Sequence, residues 1–145
     1  MAQAPHSAGF TLIELVIALA IVAITTSFAV TTYRGYLLRS HRIEAAHALL
    51  GAAAEQEKFH MAHGHYGDRL DAIAGSEPPG LRTASRTAHG RFRLDVEWAD
   101  ASRYRIVATA TDEQGDPLCA RMYIDESGRR SALNAGGEDS TAKCW

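Results

Sequence analysis

A single carboxylate inside a long apolar run is the most chemically informative feature of this sequence. Glu14 lies near the start of residues 9–24, which read GFTLIELVIALAIVAI. An acid at the centre of a bilayer costs about 2.5–3.5 kcal/mol on insertion scales. A carboxylate in such a place calls for a compensating partner. We therefore expect the run to be more than a membrane anchor and Glu14 to bind a positive charge.

Three closely spaced histidines, His60, His63 and His65, are the only cluster that suggests a metal. A spacing of three residues can place His60 and His63 on one face of a helix, where two imidazoles can bind one ion. No cysteine or acid completes an obvious ligand set. We therefore predict no metal site and no cofactor, and we interpret the cluster as a polar helix end.

A basic stretch follows in the middle of the chain, and it consists of Arg82, Arg86, His89, Arg91 and Arg93. It fits either a solvated loop or a surface that meets DNA. The formal net charge of the 145-residue chain is −2, which argues against a dedicated DNA binder. We favour the solvated loop, and DNA is a disfavoured partner.

Enzymatic motifs are missing from the sequence. We find no nucleophile elbow, no phosphate-binding loop and no paired ligand motif. Serines and histidines are present but lie in no catalytic context. We predict that the chain is not an enzyme.

A long helix is predicted to carry the apolar run and the histidines. Residues 10–30 would cover roughly 30 Å, enough to cross a bilayer. Apolar residues continue at helical spacing beyond them: Tyr33, Leu37, Ile43, Leu50 and Ala53, with Leu49 and Phe59 beside them. No proline interrupts residues 8–77, so we predict one helix over about residues 10–62, ended by Gly64 and Gly67.

The remainder, residues 63–145, is predicted to form a globular head. Residues 92–98, 104–111 and 119–125 alternate apolar and polar side chains, which is typical of half-buried antiparallel strands. In the first of these, Phe92 and Trp98 are predicted on the same face. The amphipathic half of the helix would cover this sheet, giving an α+β fold. The segment after Gly128 is polar and glycine-rich, and we expect a tail there.

The N-terminal motif resembles the class III signal and first helix of type IV pilins. The resemblance rests on Gly9, Phe10, the Thr-Leu-Ile-Glu sequence ending at Glu14, and the apolar run. It implies that residues 1–9 are a leader that a prepilin peptidase removes after Gly9. It also implies that Phe10 is then N-methylated, and that Glu14 pairs with the N-terminal amine of a neighbouring subunit. The alternative is an ordinary signal peptide or single-span anchor.

The likeness extends along the chain to type IVa pilins, and most closely to minor pilins. Residues 33–44, residues 56–59 and the ending Cys144-Trp145 are similar to that group. The implied pilin fold is one long helix packed on a three- to four-stranded antiparallel sheet with a disulfide-bounded C-terminal region. In an exported chain, Cys119 and Cys144 would form one disulfide, the alternative being two free thiols.

The resemblance implies a structural subunit that joins a type IV pilus or primes its assembly, in twitching motility, adhesion or DNA uptake. Its partners would be major and minor pilins, the prepilin peptidase and methylase, and the inner membrane before assembly. The precursor would lie in the bacterial inner membrane and the product in the fibre at the cell surface.

Two rival functions remain open, a type II secretion pseudopilin and a membrane-anchored periplasmic binding protein. The proposed Cys119–Cys144 bridge favours the pilus, because major pseudopilins use a calcium loop, for which residues 112–116 are only a faint candidate. Many pilins carry glycine and proline where this chain has Ala23 and Thr31, so we expect an unusually continuous helix.

Overall fold

The described elements form an α+β chain in two compact units. A computed structural model describes residues 10–71, 80–111 and 115–145, without the side chains of residues 28–32. The elements are α1 Leu12–His63, β1 Phe92–Ala99, β2 Tyr104–Ala110, β3 Arg121–Asp125, β4 Arg130–Leu133 and α2 Thr141–Cys144. The two units are Met1–Leu37 and Leu38–Trp145.

Helix α1 has a defined start and a defined end. Thr11 Oγ1 accepts a hydrogen bond from the backbone N–H of Glu14, 3.3 Å away. Thr-x-x-Glu is the spacing of a capping box, which satisfies backbone donors that the first turn leaves free. At the other end, Gly64 adopts φ 75°, and its N–H donates to His60 O over 2.8 Å. Glycine terminates helices in this way because it has no Cβ to clash in the left-handed region.

The described residues of the first unit are Phe10, Thr11 and the first part of α1, and their described side chains are exposed except for Leu37, which is partly buried. Within the residues that the structure describes, no helix has the length and apolar character needed to cross a membrane. The predicted span over residues 10–30 includes positions without described side chains, and it stays a prediction.

The second unit contains a four-stranded antiparallel sheet in the order β1-β2-β3-β4, each strand paired with its neighbour in sequence. Strands β1 to β3 correspond to the three predicted ones. The expected tail after Gly128 is instead β4, which pairs Ala132 with Met122 and Ser131 with Tyr123. Strand β4 has only four residues and one buried side chain, so its sequence carries no alternation to detect.

The helical side of the core is a single stripe of α1, consisting of Ala45, Leu49, Ala52, Gln56 and Phe59. Their spacing of three and four residues places them on one face. The predicted stripe was partly wrong, because Ile43 and Leu50 are 53% and 38% exposed. Small alanines alternate with Leu49, Gln56 and Phe59 along this stripe, whereas Ile43 and Leu50 lie on other faces of α1.

A β-bulge corrects the predicted facing of Trp98. Val96 pairs with Ile106 and Trp98 pairs with Arg105, so Glu97 is an extra residue in β1. The bulge reverses the alternation. As a result, Trp98 is 37% exposed, whereas Phe92 is fully buried. The guanidinium groups of Arg103 and Arg105 lie 5.8 and 5.6 Å from the centre of the Trp98 ring.

The C-terminal region is tied to the sheet at several points. Cys119 and Cys144 form the predicted disulfide. The indole N–H of Trp145 donates to Ser131 O over 3.0 Å, and Ser140 N–H donates to Ala132 O over 2.9 Å. The disulfide-bounded pilin-type α+β fold is therefore confirmed, with four strands.

Candidate assembly segment and basic groove

The start of α1 presents the residues predicted to act in processing and assembly. Gly9 lies outside the described residues. Phe10 immediately precedes the Thr11 cap and is 87% exposed. Glu14 lies in the first turn, where the positive end of the helix dipole favours a carboxylate. Glu14 is exposed, and no ion pair joins it to a basic side chain among the described residues.

Apart from Glu14, the first turns of α1 carry apolar side chains around the whole circumference. The large aliphatic side chains there are between 51% and 81% exposed: Leu12, Ile13, Leu15, Val16, Ile17, Leu19, Ile21, Val22 and Ile24. A helix that is apolar on every face belongs in a protein core or in lipid. Contiguous exposed apolar surface of this kind marks an interaction site. This segment, residues 10–24, is hereafter the assembly segment.

Two residues of the predicted basic stretch are brought together because the segment before β1 pairs with the start of β1 in a strand-like manner. Thr87 N–H donates to Phe92 O over 3.0 Å, and Leu94 N–H donates to Ser85 O over 2.8 Å. This pairing places Arg86 opposite Arg93. A tertiary contact therefore concentrates positive charge that the sequence distributes along a stretch.

A groove of about 380 Å³ lies beside this pair, and we call it the basic groove. Its lining comprises Arg69, Leu70, Asp71, Ser85, Arg86, Arg93, Leu94 and Asp95. Arg93 Nη2 lies 3.9 Å from Asp95 Oδ2, with both side chains more than half exposed. Exposed pairs at that distance contribute little energy, so Arg93 can exchange this contact for a bound anion. The sequence did not indicate Arg69 and Asp71, which only tertiary packing brings here.

The other members of the basic stretch have separate roles. His89 is bound to α1, since Glu44 Oε1 accepts its backbone N–H over 3.0 Å and Glu44 Oε2 lies 2.9 Å from its Nδ1. Partial burial acts to raise the pKa of Glu44, but the hydrogen bonds and the charge of His89 outweigh it and lower that pKa below its usual value. Arg82 is exposed and has φ 59°, a conformation uncommon for a residue with a Cβ.

The predicted histidine cluster is divided by the structure. The ring of His60 stacks on Tyr66 at 4.4 Å, and its Nε2 lies 3.1 Å from Ala101 O. The ring of His63 stacks on Phe59 at 4.1 Å instead. In the described parts of the chain, no group of three or more His, Cys, Asp or Glu residues is arranged to hold a metal ion.

The faint calcium-loop candidate is mostly outside the described residues, which omit 112–114. Its last member, Asp116, has a different role. Asp116 accepts two hydrogen bonds from the Arg42 guanidinium, of 2.7 and 2.9 Å. Its Oδ1 also accepts the N–H groups of Leu118 and Cys119. This carboxylate joins α1 to the segment that leads into the disulfide.

Two family models together match residues 5–123. A model described as "Type IV minor pilin ComP, DNA uptake sequence receptor" matches residues 31–123. A second, described as "Prokaryotic N-terminal methylation motif", matches residues 5–30. The chain belongs to this type IV pilin family. The resemblance drawn from its N-terminal motif is thereby confirmed.

Known pilins are similar to this pilin over most of its length. The type IV major pilin protein PilE1 of Neisseria gonorrhoeae is 32% identical over 135 residues, which cover 93% of this chain and 72% of PilE1. The type IV major fimbrial protein FimA of Dichelobacter nodosus is 32% identical over 119 residues, or 80% of this chain. The chain spans 64% of the length of that FimA. A solved type IV pilin from Shewanella oneidensis has a TM-score of 0.48 and 18% identity, covering 74% of this chain and 97% of that one.

Proposed function

We propose that this pilin is a minor subunit that is cleaved after Gly9, methylated on Phe10, and incorporated into a type IV pilus or used to prime its assembly. One observation carries the proposal. The methylation motif over residues 5–30 includes the capped start of α1, which leaves Phe10 exposed ahead of Thr11 and Glu14 within the first turn. The processing site and the acid thus lie at the same end of one helix.

The driving force for assembly is the charge of Glu14. Lipid tails are as apolar as leucine, so the aliphatic side chains of the assembly segment have no hydrophobic preference for a fibre over a membrane. An unpaired carboxylate in lipid is costly. The cationic amine of Phe10 on a neighbouring subunit compensates it in the fibre. Incorporation therefore requires the charge at residue 14, whereas the aliphatic residues supply packing.

The test separates processing from assembly. In cells producing Glu14→Ala, we expect mass spectrometry to show normal removal of residues 1–9 and methylation of Phe10. Immunoblots of sheared fibres should then show loss of the subunit. Glu55→Gln, at an acid elsewhere on α1, is the matched control and should leave incorporation unchanged. Normal incorporation of Glu14→Ala would refute the pairing.

The amount and location of the wild-type subunit test the remaining parts of the proposal. Its ratio to the other pilins in fibres distinguishes a minor from a major subunit. A chain found only in the membrane fraction would favour an anchored periplasmic binding protein. A chain found with secretion machinery would favour a pseudopilin.

DNA uptake is a second candidate function, favoured by the family description and the basic groove. The matching model is described as a DNA uptake sequence receptor. Arg86 and Arg93 are paired across from each other in the groove. Arginine suits phosphate because its planar guanidinium donates two parallel hydrogen bonds. The net charge of −2 describes the whole chain, and binding depends on the local field.

Salt dependence is the measurement that tests DNA binding. The affinity of the purified pilin for duplex DNA should fall as salt rises, with a log–log slope of about −0.9 for each phosphate contacted. We expect Arg86→Gln and Arg93→Gln each to reduce the magnitude of that slope by about 1. Arg39→Gln, at an exposed arginine of α1, is the matched control. A flat salt response, or equal slopes in all three variants, would refute a role for the groove.

A further inference from the structure

The end of α1 brings two imidazoles side by side that a continuing helix would hold apart. The ring centres of His63 and His65 are 6.1 Å apart, with their planes inclined by 59°. Helix α1 ends at His63, and Gly64 turns the chain with φ 75°. That turn returns His65 to the ring of Phe59, which His63 already contacts.

Phe59 holds both imidazoles in place. Its ring stacks on His63 with centres 4.1 Å apart, and its centre lies 5.5 Å from that of His65. Phe59 is only 8% exposed and belongs to the core. The two rings therefore rest on a rigid support, and less ordering is required when they bind a common ligand.

The hydrogen bond of His63 leaves its other ring nitrogen available to a ligand. Its Nδ1 lies 3.0 Å from Phe59 O. A carbonyl only accepts hydrogen bonds, so Nδ1 carries the proton and neutral His63 has its lone pair on Nε2. Histidine ligands in metal sites show this arrangement, with the other ring N–H donated to a backbone carbonyl.

The separation of the rings fits a shared ion. With metal–nitrogen distances of about 2.0–2.1 Å, each ring centre lies roughly 3 Å from the metal, so two ligating rings are at most roughly 6 Å apart. The observed 6.1 Å is at that limit, and small side-chain rotations bring it within range. His60 does not take part in this ion site, because its ring stacks on Tyr66 and its Nε2 contacts Ala101 O.

The surroundings of His65 attract cations. It lines a cavity of about 330 Å³ together with Asp68 and Asp100. Arg69 Nε lies 4.0 Å from Asp68 Oδ1, and Arg103 Nη2 lies 3.6 Å from Asp100 Oδ2, with all four side chains substantially exposed. Water screens both pairs strongly, so the two arginines offset the carboxylates only in part on the side of His65 that faces the cavity.

We propose that His63 and His65 form a two-imidazole site for Cu²⁺, with water completing the coordination. Since no group of three or more His, Cys, Asp or Glu metal ligands exists in the described part of the chain, the site favours the ion that gains most from each nitrogen. Among divalent first-row ions that ion is Cu²⁺.

The test is a Cu²⁺ titration of the full chain in detergent, with a competing chelator and electron paramagnetic resonance. We expect one tight site with nitrogen splitting from two imidazoles. His63→Gln and His65→Gln should each weaken binding by about tenfold or more and leave splitting from one imidazole. Both side chains are exposed, so neither change should affect folding.

His60→Gln and His47→Gln are matched controls, and they should bind Cu²⁺ as the wild type does. Wild-type affinity in His63→Gln or His65→Gln would overturn the proposal. Loss of the two-imidazole signal in either control would overturn it equally, because another pair of histidines would then be the ligands. These outcomes do not depend on whether the pilin enters fibres or binds DNA.

Discussion

The ion pair between Arg42 and Asp116 should be among the largest single polar contributions to the stability of the head. The Asp116 side chain is fully buried, and that of Arg42 is 17% exposed. The carboxylate accepts Arg42 Nε and Nη2 over 2.7 and 2.9 Å. It also accepts the N–H groups of Leu118 and Cys119, both over 3.2 Å. Removing Arg42 leaves a buried charge whose remaining donors, among the described residues, are these two N–H groups.

The expected cost of Arg42→Met is about 3 kcal/mol of unfolding free energy. Breaking a buried pair by removing one partner costs about 3–5 kcal/mol, and the lower end applies because water can reach the partly exposed Arg42 site. Asp116→Asn should cost less, since its amide oxygen can still accept the two N–H groups. In the double variant the uncompensated charge is gone, so the coupling energy should be about 1–3 kcal/mol.

The assay is equilibrium unfolding in urea with the disulfide intact, followed by the fluorescence of Trp98 and Trp145. Arg39→Met is the matched control, since Arg39 is an exposed arginine on the same helix. It should change the free energy of unfolding by less than about 0.5 kcal/mol. If Arg42→Met lowered the free energy of unfolding as little as this control does, or if the coupling energy were near zero, the prediction that the pair stabilises the head would be refuted.

Three further predictions concern the head. Gln56 is fully buried; its side-chain amide donates to Gly67 O over 2.7 Å and accepts the Gly67 N–H over 2.8 Å. Gln56→Ala should therefore lower the free energy of unfolding in urea by about 2 kcal/mol or more, because each backbone group left without a partner costs about 1–3 kcal/mol. A smaller loss would show that water replaces the amide. The pKa of Glu44 lies below its usual value of 4.5, so its bond to His89 stabilises the fold above the unfolded pKa and is lost as pH falls through the folded pKa. Glu44→Gln should therefore be less stable than wild type above the usual glutamate pKa, and the difference should shrink as pH falls below it; parallel pH curves would contradict this. Gly64→Ala should cost about 1–2 kcal/mol, because Cβ is disfavoured at φ 75°, and an unchanged midpoint would show that the turn relaxes freely.

The long helix and the first three strands could be predicted because each has a local signature. The apolar run and the absence of proline predict α1, and alternation predicts β1 to β3. The side of α1 that faces the sheet could not be predicted. Ala45 and Ala52 are part of the buried face, whereas the larger Ile43 and Leu50 are exposed. Because alanine is only weakly hydrophobic, a face that contains alanines gives a weaker periodic signal in the sequence than one marked by isoleucine and leucine.

The candidate sites show the same division. Glu14 and Phe10 are recognisable because chain order alone places them at one helix end. The pairing of Arg86 with Arg93 depends on an extra strand-like contact, and the meeting of His63 with His65 depends on the turn at Gly64. The sequence spacing instead favoured His60 and His63 as neighbours, because residues three apart share one face of a continuous helix and the turn after the helix was not part of that prediction.

The sequence by itself determined the family, the helix with its terminal glycine, the single disulfide and the acid on which we expect assembly to depend. These features are short-range or carried by residue types that have few alternatives, such as two cysteines in an exported chain. Only the tertiary structure decided the bulge that turns Trp98 outward, the strand formed by the polar tail, the ion pair that anchors Asp116, and the basic groove. Each of these arises from contacts between residues distant in sequence, whose energies depend on burial and register rather than on local pattern.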